Sequence, residues 1–271
     1  MRKNIMRYIG LFSGVLLTLT ACDSDNSTTS AAAEVTPPAA TLPTPLPLPD
    51  NSQQQHYQVL LFGNSHMRSH NFSQLLTQLI QTGKSASQVT VVTAPGGSYL
   101  DERYYQAESR DLIEKGKWTH LILQGQKYST SGLYDYPTGL TAAWVELAKT
   151  KQTTPVLYPE HAQIGNFDEG TQIYNILKKV QQQHPACLAP IPYAWQQFIT
   201  RHSDIQLHER DGNHANLQGA MLSALVLYEV ITNSPADQLP YIASIALTAT
   251  TQQLLRQQAS ATLQQYPACS K

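Results

Sequence analysis

The stretch QVLLFGNSHMRSH, from Gln58 to His70, decides how the chain is read. Val59 to Phe62 is an apolar run with the character of a buried strand. It breaks at Gly63 and passes at once into Asn64, Ser65 and His66. A strand that ends in a small polar triplet is either an ordinary strand-to-helix turn or a mount that holds a serine hydroxyl at the strand's carboxyl end. The remainder of the sequence has to separate these two readings.

Working outward, short apolar runs alternate with longer amphipathic stretches. Strands are expected at Gln58–Phe62, Val89–Thr93, His120–Leu123, Pro155–Tyr158 and Cys187–Ile191. Helices are expected near Ser69–Thr82, Leu100–Lys115, Thr138–Lys149, Glu169–Gln183 and Trp195–Arg201. A long helix follows His214 to about Thr232, and a last one covers Thr248–Gln264. Strands separated by helical patterns of this length make βαβ units and a mostly parallel sheet. Ligands bind outside the carboxyl ends of the strands in such sheets. Ser65 falls at that end of the first strand, which favours the functional reading.

A serine hydroxyl is a weak nucleophile near neutral pH. It needs a base to take its proton, and the base needs a carboxylate to orient it. Both occur in ERDGNHANLQGAMLSALVLYEV, where Asp211 and His214 stand three apart in a Gly/Asn-rich turn before an apolar helix. A D-x-x-H turn can set the carboxylate against one imidazole nitrogen while the other faces outward. Alone the spacing is weak, since either residue could simply cap a helix.

Taken together, GNSH after the first strand and DGNH before the last major helix resemble the SGNH (GDSL-type) hydrolase family. The resemblance covers Tyr57 to Thr232 and includes Gly219 and Ala220 after the second block. It implies a three-layer α/β/α, flavodoxin-like fold with a five-stranded, mostly parallel sheet. It also implies Ser65 as nucleophile, His214 as base and Asp211 as the carboxylate. The glycine-flanked serine of the G-x-S-x-G elbow is absent. In the family the oxyanion is held by the serine's own N–H, a glycine N–H after the second strand and an asparagine after the third. APGGSYL supplies Gly97 or Gly96, and Gly97 is expected, lying nearer the next helix. LILQGQKYS has no asparagine. Gln126 is expected to substitute, with Gln124 the alternative, because a glutamine amide donates the same bond with one more methylene of reach. The alternative is that these glutamines are only surface polar groups. The chemistry needs no metal or organic cofactor.

Other residues stand near the same edge. His66 and His70 have an i, i+4 metal-gripping spacing but lack the intervening glutamate and a third ligand, so no metal is expected. His66 is read as lining the pocket and His70 as surface. Glu160 and His161 follow the fourth strand and are either substrate contacts or loop residues. Tyr193 and Trp195 are either a cleft wall or packing. The loop KYSTSGLYDYPTG has the aromatic, polar character of a sugar-binding lip.

The first residues, MRKNIMRYIGLFSGVLLTLTAC, resemble a bacterial lipoprotein signal. Arg2, Lys3 and Arg7 precede an apolar stretch too short to span a bilayer comfortably, and small residues lead to Cys22. A plain secretory peptide or short anchor is the alternative. Residues 1–21 are thus expected as a signal, with Cys22 lipidated and the protein held on a membrane of the bacterial cell envelope, facing the periplasm. The Ser/Thr/Pro-rich segment 22–55 is expected to be a disordered tether, leaving 56–271 as one domain. Without the three leader cations, 15 basic residues face 19 acidic ones, a net of −4. No basic stripe argues for nucleic acid. Cys187 and Cys269 remain, either as a disulfide in an oxidising compartment or as separate buried thiols. The expected activity is hydrolysis of acetyl or short acyl esters, on carbohydrate. A long-chain lipase or thioesterase, and a catalytically weak envelope-binding module, are the rivals.

Overall fold

A computed structural model describes residues 45–269. The expected signal, the expected lipidation site Cys22 and most of the expected tether lie outside these residues. No helix among the described residues is long and apolar enough to cross a membrane.

Five parallel strands form the sheet: β1 (His56–Phe62), β2 (Gln88–Thr93), β3 (His120–Gln124), β4 (Thr154–Tyr158) and β5 (Cys187–Leu188). Their order is β2-β1-β3-β4-β5, the flavodoxin-like order. Alternation along β1 explains the two layers. Val59 and Leu61 enter one core with α1 (Phe72–Gly83), α6 (Ile191–Arg201), α7 (Leu217–Thr232) and α8 (Ala249–Gln265). Leu60 and Phe62 enter the other, with α2 (Leu100–Tyr104), α3 (Ala107–Lys115), α4 (Gly139–Thr150) and α5 (Phe167–Gln183). All four side chains are fully buried. At about 1.5–3 kcal/mol for each, they make β1 the axis of both layers. The fold is the α/β/α arrangement expected.

The differences are local. The expected helix at 100–115 is two, because the chain breaks at Tyr105 and Gln106. The helix expected from Ser69 starts at Phe72, since His70 and Asn71 take left-handed backbone (φ 54° and 51°) and close 3-10 turns instead. β5 is shorter than expected: α6 takes over at Ile191, with proline in its first turn where its missing N–H costs nothing.

Residues 46–54 correct the domain boundary expected at 56. The Leu46 carbonyl accepts from the buried Lys149 ammonium (2.9 Å). Asn51 Nδ2 donates to the Thr119 and Gln152 carbonyls (3.0 and 2.9 Å), and Tyr57 OH donates to the Ser52 carbonyl (2.7 Å). A Pro-rich segment has little periodicity to read, yet its unpaired carbonyls serve as acceptors along the sheet's amino-terminal edge.

Cys187 and Cys269 are disulfide-bonded, and the bridge ties the segment after α8 to β5, beside the Leu188 N–H to Ala268 carbonyl bond (2.7 Å). It closes a loop of 82 residues in sequence separation. On chain-entropy grounds, the Cys187→Ser/Cys269→Ser variant is expected to lose about 4 kcal/mol of stability. Urea denaturation of the wild type with and without reductant checks this. A midpoint that reductant does not move would refute it.

Candidate active site

Ser65 opens a 3-10 turn at the carboxyl end of β1. Gly63 makes that turn possible: a Cβ there would lie 2.5 Å from Met67 Cγ and 2.6 Å from Gln124 Oε1. Asn64 fixes the turn from both sides. Its backbone N–H donates to Gln124 Oε1 (2.8 Å), and its Oδ1 accepts from the His66 N–H (3.1 Å). The serine hydroxyl is left exposed.

His214 and Asp211 lie in the tight loop before α7. Gly212 turns the loop with φ 69°, and its carbonyl accepts from the Ile164 N–H (2.8 Å). The Glu209 N–H donates to the His214 carbonyl (2.8 Å). Asn216 caps α7 by accepting from the Gly219 N–H (3.0 Å). Gly219 has no room for a side chain, since a Cβ would meet the Leu207 carbonyl oxygen at 2.3 Å and Trp195 Cη2 at 2.4 Å. Close packing of α7 on α6 therefore sets where the loop emerges.

The three side chains meet. Ser65 Oγ stands 2.8 Å from His214 Nε2, and His214 Nδ1 stands 2.6 Å from Asp211 Oδ2. The geometry suits an imidazole that donates Nδ1–H to the carboxylate and accepts the serine proton at Nε2. Asp211 Oδ1 also accepts from the Asn213 and His214 N–H groups, each at 2.9 Å. The His214 side chain, followed by these backbone donors, holds the Asp211 carboxyl well below the usual carboxylate range. It is ionised at neutral pH. This arrangement makes a hydroxyl a nucleophile.

A row of rings backs His214. His66 stacks on it with centroids 5.0 Å apart, and His161 meets His66 edge-on at 5.2 Å. His161 in turn lies flat on Trp195 at 3.7 Å, and its Nε2 donates to the Asn213 carbonyl (2.9 Å). Burial, with the neighbouring His214 charge, lowers the His66 pKa to about 4, so its ring is neutral at neutral pH. His70 turns away and pairs with Glu209 at 3.0 Å. Tyr193 is not a cleft wall: it stacks on Tyr266 and packs against Tyr174. Nor is Trp195, which is buried and donates Nε1–H to Ser223 (2.9 Å).

The expected oxyanion donors separate. Gly97 lies beside the Ser65 turn, 3.9 Å from its would-be Cβ to Asn64 Cα. Gln126 does not fill the asparagine's place. Its Oε1 accepts from Thr141 on α4 (2.6 Å) and its Nε2 donates to the Lys127 carbonyl (2.7 Å). The physical reason is Gly125, whose φ of 100° turns the chain so that residue 126 is buried under α4. Gln124 is committed too, since its Nε2 donates to Glu160 Oε2 (2.5 Å).

Two arginines that sequence reasoning passed over hold the glycine loop. Arg68 Nη2 donates to the Ala94 and Gly96 carbonyls (2.8 and 2.6 Å). The fully buried Arg103 donates to the Pro95 and Gly96 carbonyls (3.1 and 2.8 Å) and lies over the Phe62 ring at 4.9 Å. With these carbonyls drawn to the guanidinium groups, the loop's amides are left for the opposite side. An arginine in a short helix reads as solvated surface, so no local pattern marks it.

The site opens into a cleft of about 470 Å³, walled also by Lys127, Tyr128 and Thr130 from the tyrosine-bearing loop and by Glu160 and Gln163 after β4. A larger cavity, about 610 Å³, lies at the opposite edge of the sheet beside His120 and the disulfide. It lies away from Ser65, His214 and Asp211, none of which lines it. Among the described residues, no three His, Cys, Asp or Glu side chains are grouped to hold a metal.

No family model matches the chain, and no curated protein matches it. Solved structures do. A DUF4886-family protein from Bacteroides uniformis is 19% identical, with a TM-score of 0.58 over 78% of this chain and 96% of its own. A protein from Slackia heliotrinireducens described as an SGNH hydrolase is 22% identical, with a TM-score of 0.52 over 64% of this chain and 98% of its own. At these identities the likeness is one of fold, and the chain has the α/β/α fold of these structures.

The glycine loop yields a stability test. Gly96 has φ 66° with open space around it, whereas a Cβ at Gly97 meets nothing closer than 3.8 Å. Gly96→Ala is expected to cost about 1 kcal/mol through backbone strain alone. Gly97→Ala should stay within about 0.5 kcal/mol of the wild type. Chemical denaturation of the two variants decides; equal costs would refute this reading of the loop.

Proposed function

We propose that the protein is a serine esterase of the SGNH type, hydrolysing acetyl or short acyl esters on carbohydrate. In this proposal it works at the periplasmic face of the cell envelope, held there by lipidated Cys22. The observation that carries the activity is the line of contacts from Ser65 Oγ to His214 Nε2 (2.8 Å) and from His214 Nδ1 to Asp211 (2.6 Å).

In the proposed scheme His214 takes the Ser65 proton as the oxygen attacks the ester carbonyl. The resulting imidazolium is balanced by ionised Asp211. The Ser65 and Gly97 N–H groups receive the oxyanion. Gln126 has no part, because its amide is already bonded elsewhere. The alkoxide leaves with the proton from His214, freeing the alcohol and an acyl-serine. Water, deprotonated by His214, then releases the acid and restores the hydroxyl. Two backbone donors without a side-chain amide point to a modest rate, since one such donor is worth about 10²–10³-fold.

The cleft supports a polar substrate. It is open to solvent and carries Tyr99 and Tyr136 half-exposed at its rim, with Tyr128 further in. Such rings stack on the C–H faces of sugars. A long acyl chain would need a continuous apolar channel, and charged and amide groups interrupt this wall.

A serine-directed fluorophosphonate is expected to label the wild type and not Ser65→Ala. Hydrolysis of p-nitrophenyl acetate should fall by at least about four orders of magnitude in His214→Ala and by about 10⁴-fold in Asp211→Asn. Labelling that survives Ser65→Ala would end the proposal. A preference for palmitate over acetate esters would overturn the substrate class while leaving the serine chemistry intact.

A further inference from the structure

Glu160 is the group in the cleft that neither the fold nor the scheme above explains. It follows β4 and lines the cleft beside Ser65 and His214. Its Oε2 accepts from Gln124 Nε2 (2.5 Å), and Gln124 Oε1 in turn accepts from the Asn64 N–H (2.8 Å). That chain of bonds steadies the serine turn, but it does not require a carboxyl. A glutamine at 160 would accept the same bond without a charge to desolvate.

The surroundings make a carboxyl expensive. No lysine or arginine pairs with Glu160 among the described residues. Lys127, the cation on the same wall, is taken by Asp101 and Glu102, at 2.9 Å each. Beyond Tyr128 lies the buried Glu169, which accepts from the Tyr128 hydroxyl (3.0 Å) and the Gln163 N–H (2.8 Å). Burial first, and then the Glu169 charge, push the Glu160 pKa up to about 7, against the opposing pull of Tyr128, Gln124 and His214. A carboxyl with hydrogen-bond donors but no cation in low-dielectric surroundings is costly to ionise, and a further donor from a ligand would favour it.

We propose that Glu160 is the specificity-determining residue of the cleft: its carboxyl accepts a hydrogen bond from a free hydroxyl of the substrate's alcohol portion, next to the ester. The preferred substrates are then partly acylated polyols such as monoacetylated sugars, rather than esters of simple alcohols or phenols. Oε2 is engaged by Gln124, and the Tyr128 hydroxyl also lies against the carboxyl while donating to Glu169; in the proposal the substrate hydroxyl bonds at Oε1. Ionised, the carboxyl accepts at Oε1; protonated, it keeps Oε2 as the carbonyl oxygen bonded to Gln124 and donates Oε1–H to a substrate hydroxyl oxygen instead. Tyr99 and Tyr136 at the rim would cover the sugar's apolar face. This rests on the esterase reading and adds to it the contact that selects the alcohol.

The test compares two substrates on the full chain. p-Nitrophenyl acetate carries no free hydroxyl, and a monoacetylated methyl glucoside carries three. Glu160→Gln keeps the bond to Gln124 through its amide oxygen but turns an N–H₂ donor toward the substrate. The ratio of kcat/KM for the sugar ester to that for p-nitrophenyl acetate is expected to fall at least about tenfold in Glu160→Gln. A smaller fall in the same direction is expected in Glu160→Asp, which keeps the acceptor but withdraws it, and this variant serves should the glutamine variant fail to fold. An unchanged ratio, including an equal loss on both substrates, would overturn the proposal and leave Glu160 a support for the serine turn. A wild type that neither hydrolyses p-nitrophenyl acetate nor takes the fluorophosphonate would instead refute the esterase reading beneath it.

Discussion

A single hydrogen bond, 2.8 Å from Ser65 Oγ to His214 Nε2, joins residues 149 apart in the chain. It depends on where β1 sits. With β2 on one side and β3 on the other, β1 lies where the strand order reverses: the crossover from β1 to β2 through α1 and the next, from β2 to β3 through α2 and α3, cover opposite faces. The crevice that opens there is the space into which both the serine turn and the loop before α7 project. Full burial of Val59 to Phe62 on both faces makes that position hard to disturb. A core that tolerates little change in volume is a rigid mount for a contact needing accuracy of a few tenths of an ångström.

The two sides of the contact are steadied differently. The serine turn is held by hydrogen bonds: Asn64 to Gln124, Gln124 to Glu160, and the arginines to the glycine loop. The histidine side is held by packing, with Gly219 pressed on Trp195 and the rings of His66 and His161 stacked behind His214. A neutral ring beside His214 suits the proposed chemistry. It fixes the plane of the imidazole without adding a positive charge that would oppose its protonation. His161 serves both tasks, lying flat on Trp195 while holding the Asn213 carbonyl.

Charge in and around the cleft is matched by partners in the same way. Asp211 is ionised and bonded by three donors, Lys127 is neutralised by two carboxylates, and Arg103 is spread over backbone carbonyls and an aromatic face. Glu160 departs from this pattern. Its carboxyl has a donor in Gln124 but no cation. Sequences tend to violate local energetic rules where function demands it, which is why this residue carries the inference on specificity.

Sequence alone determined the alternation of strands and helices and the parallel sheet, through local periods of two and 3.6. The serine, histidine and aspartate that the sheet brings together came from two short blocks read together as a family resemblance, since the D-x-x-H spacing alone is weak. Tertiary structure alone decided which groups surround them. Gln126 has the right chemistry and lies on the right loop, yet Gly125 turns it under α4 to Thr141. Arg103 looks like surface and is buried. Residues 46–54 look like linker and bond to the sheet's edge. In each case the outcome turned on which partner a donor or acceptor finds across the fold. That choice belongs to long-range packing, and no window of sequence contains both halves of it.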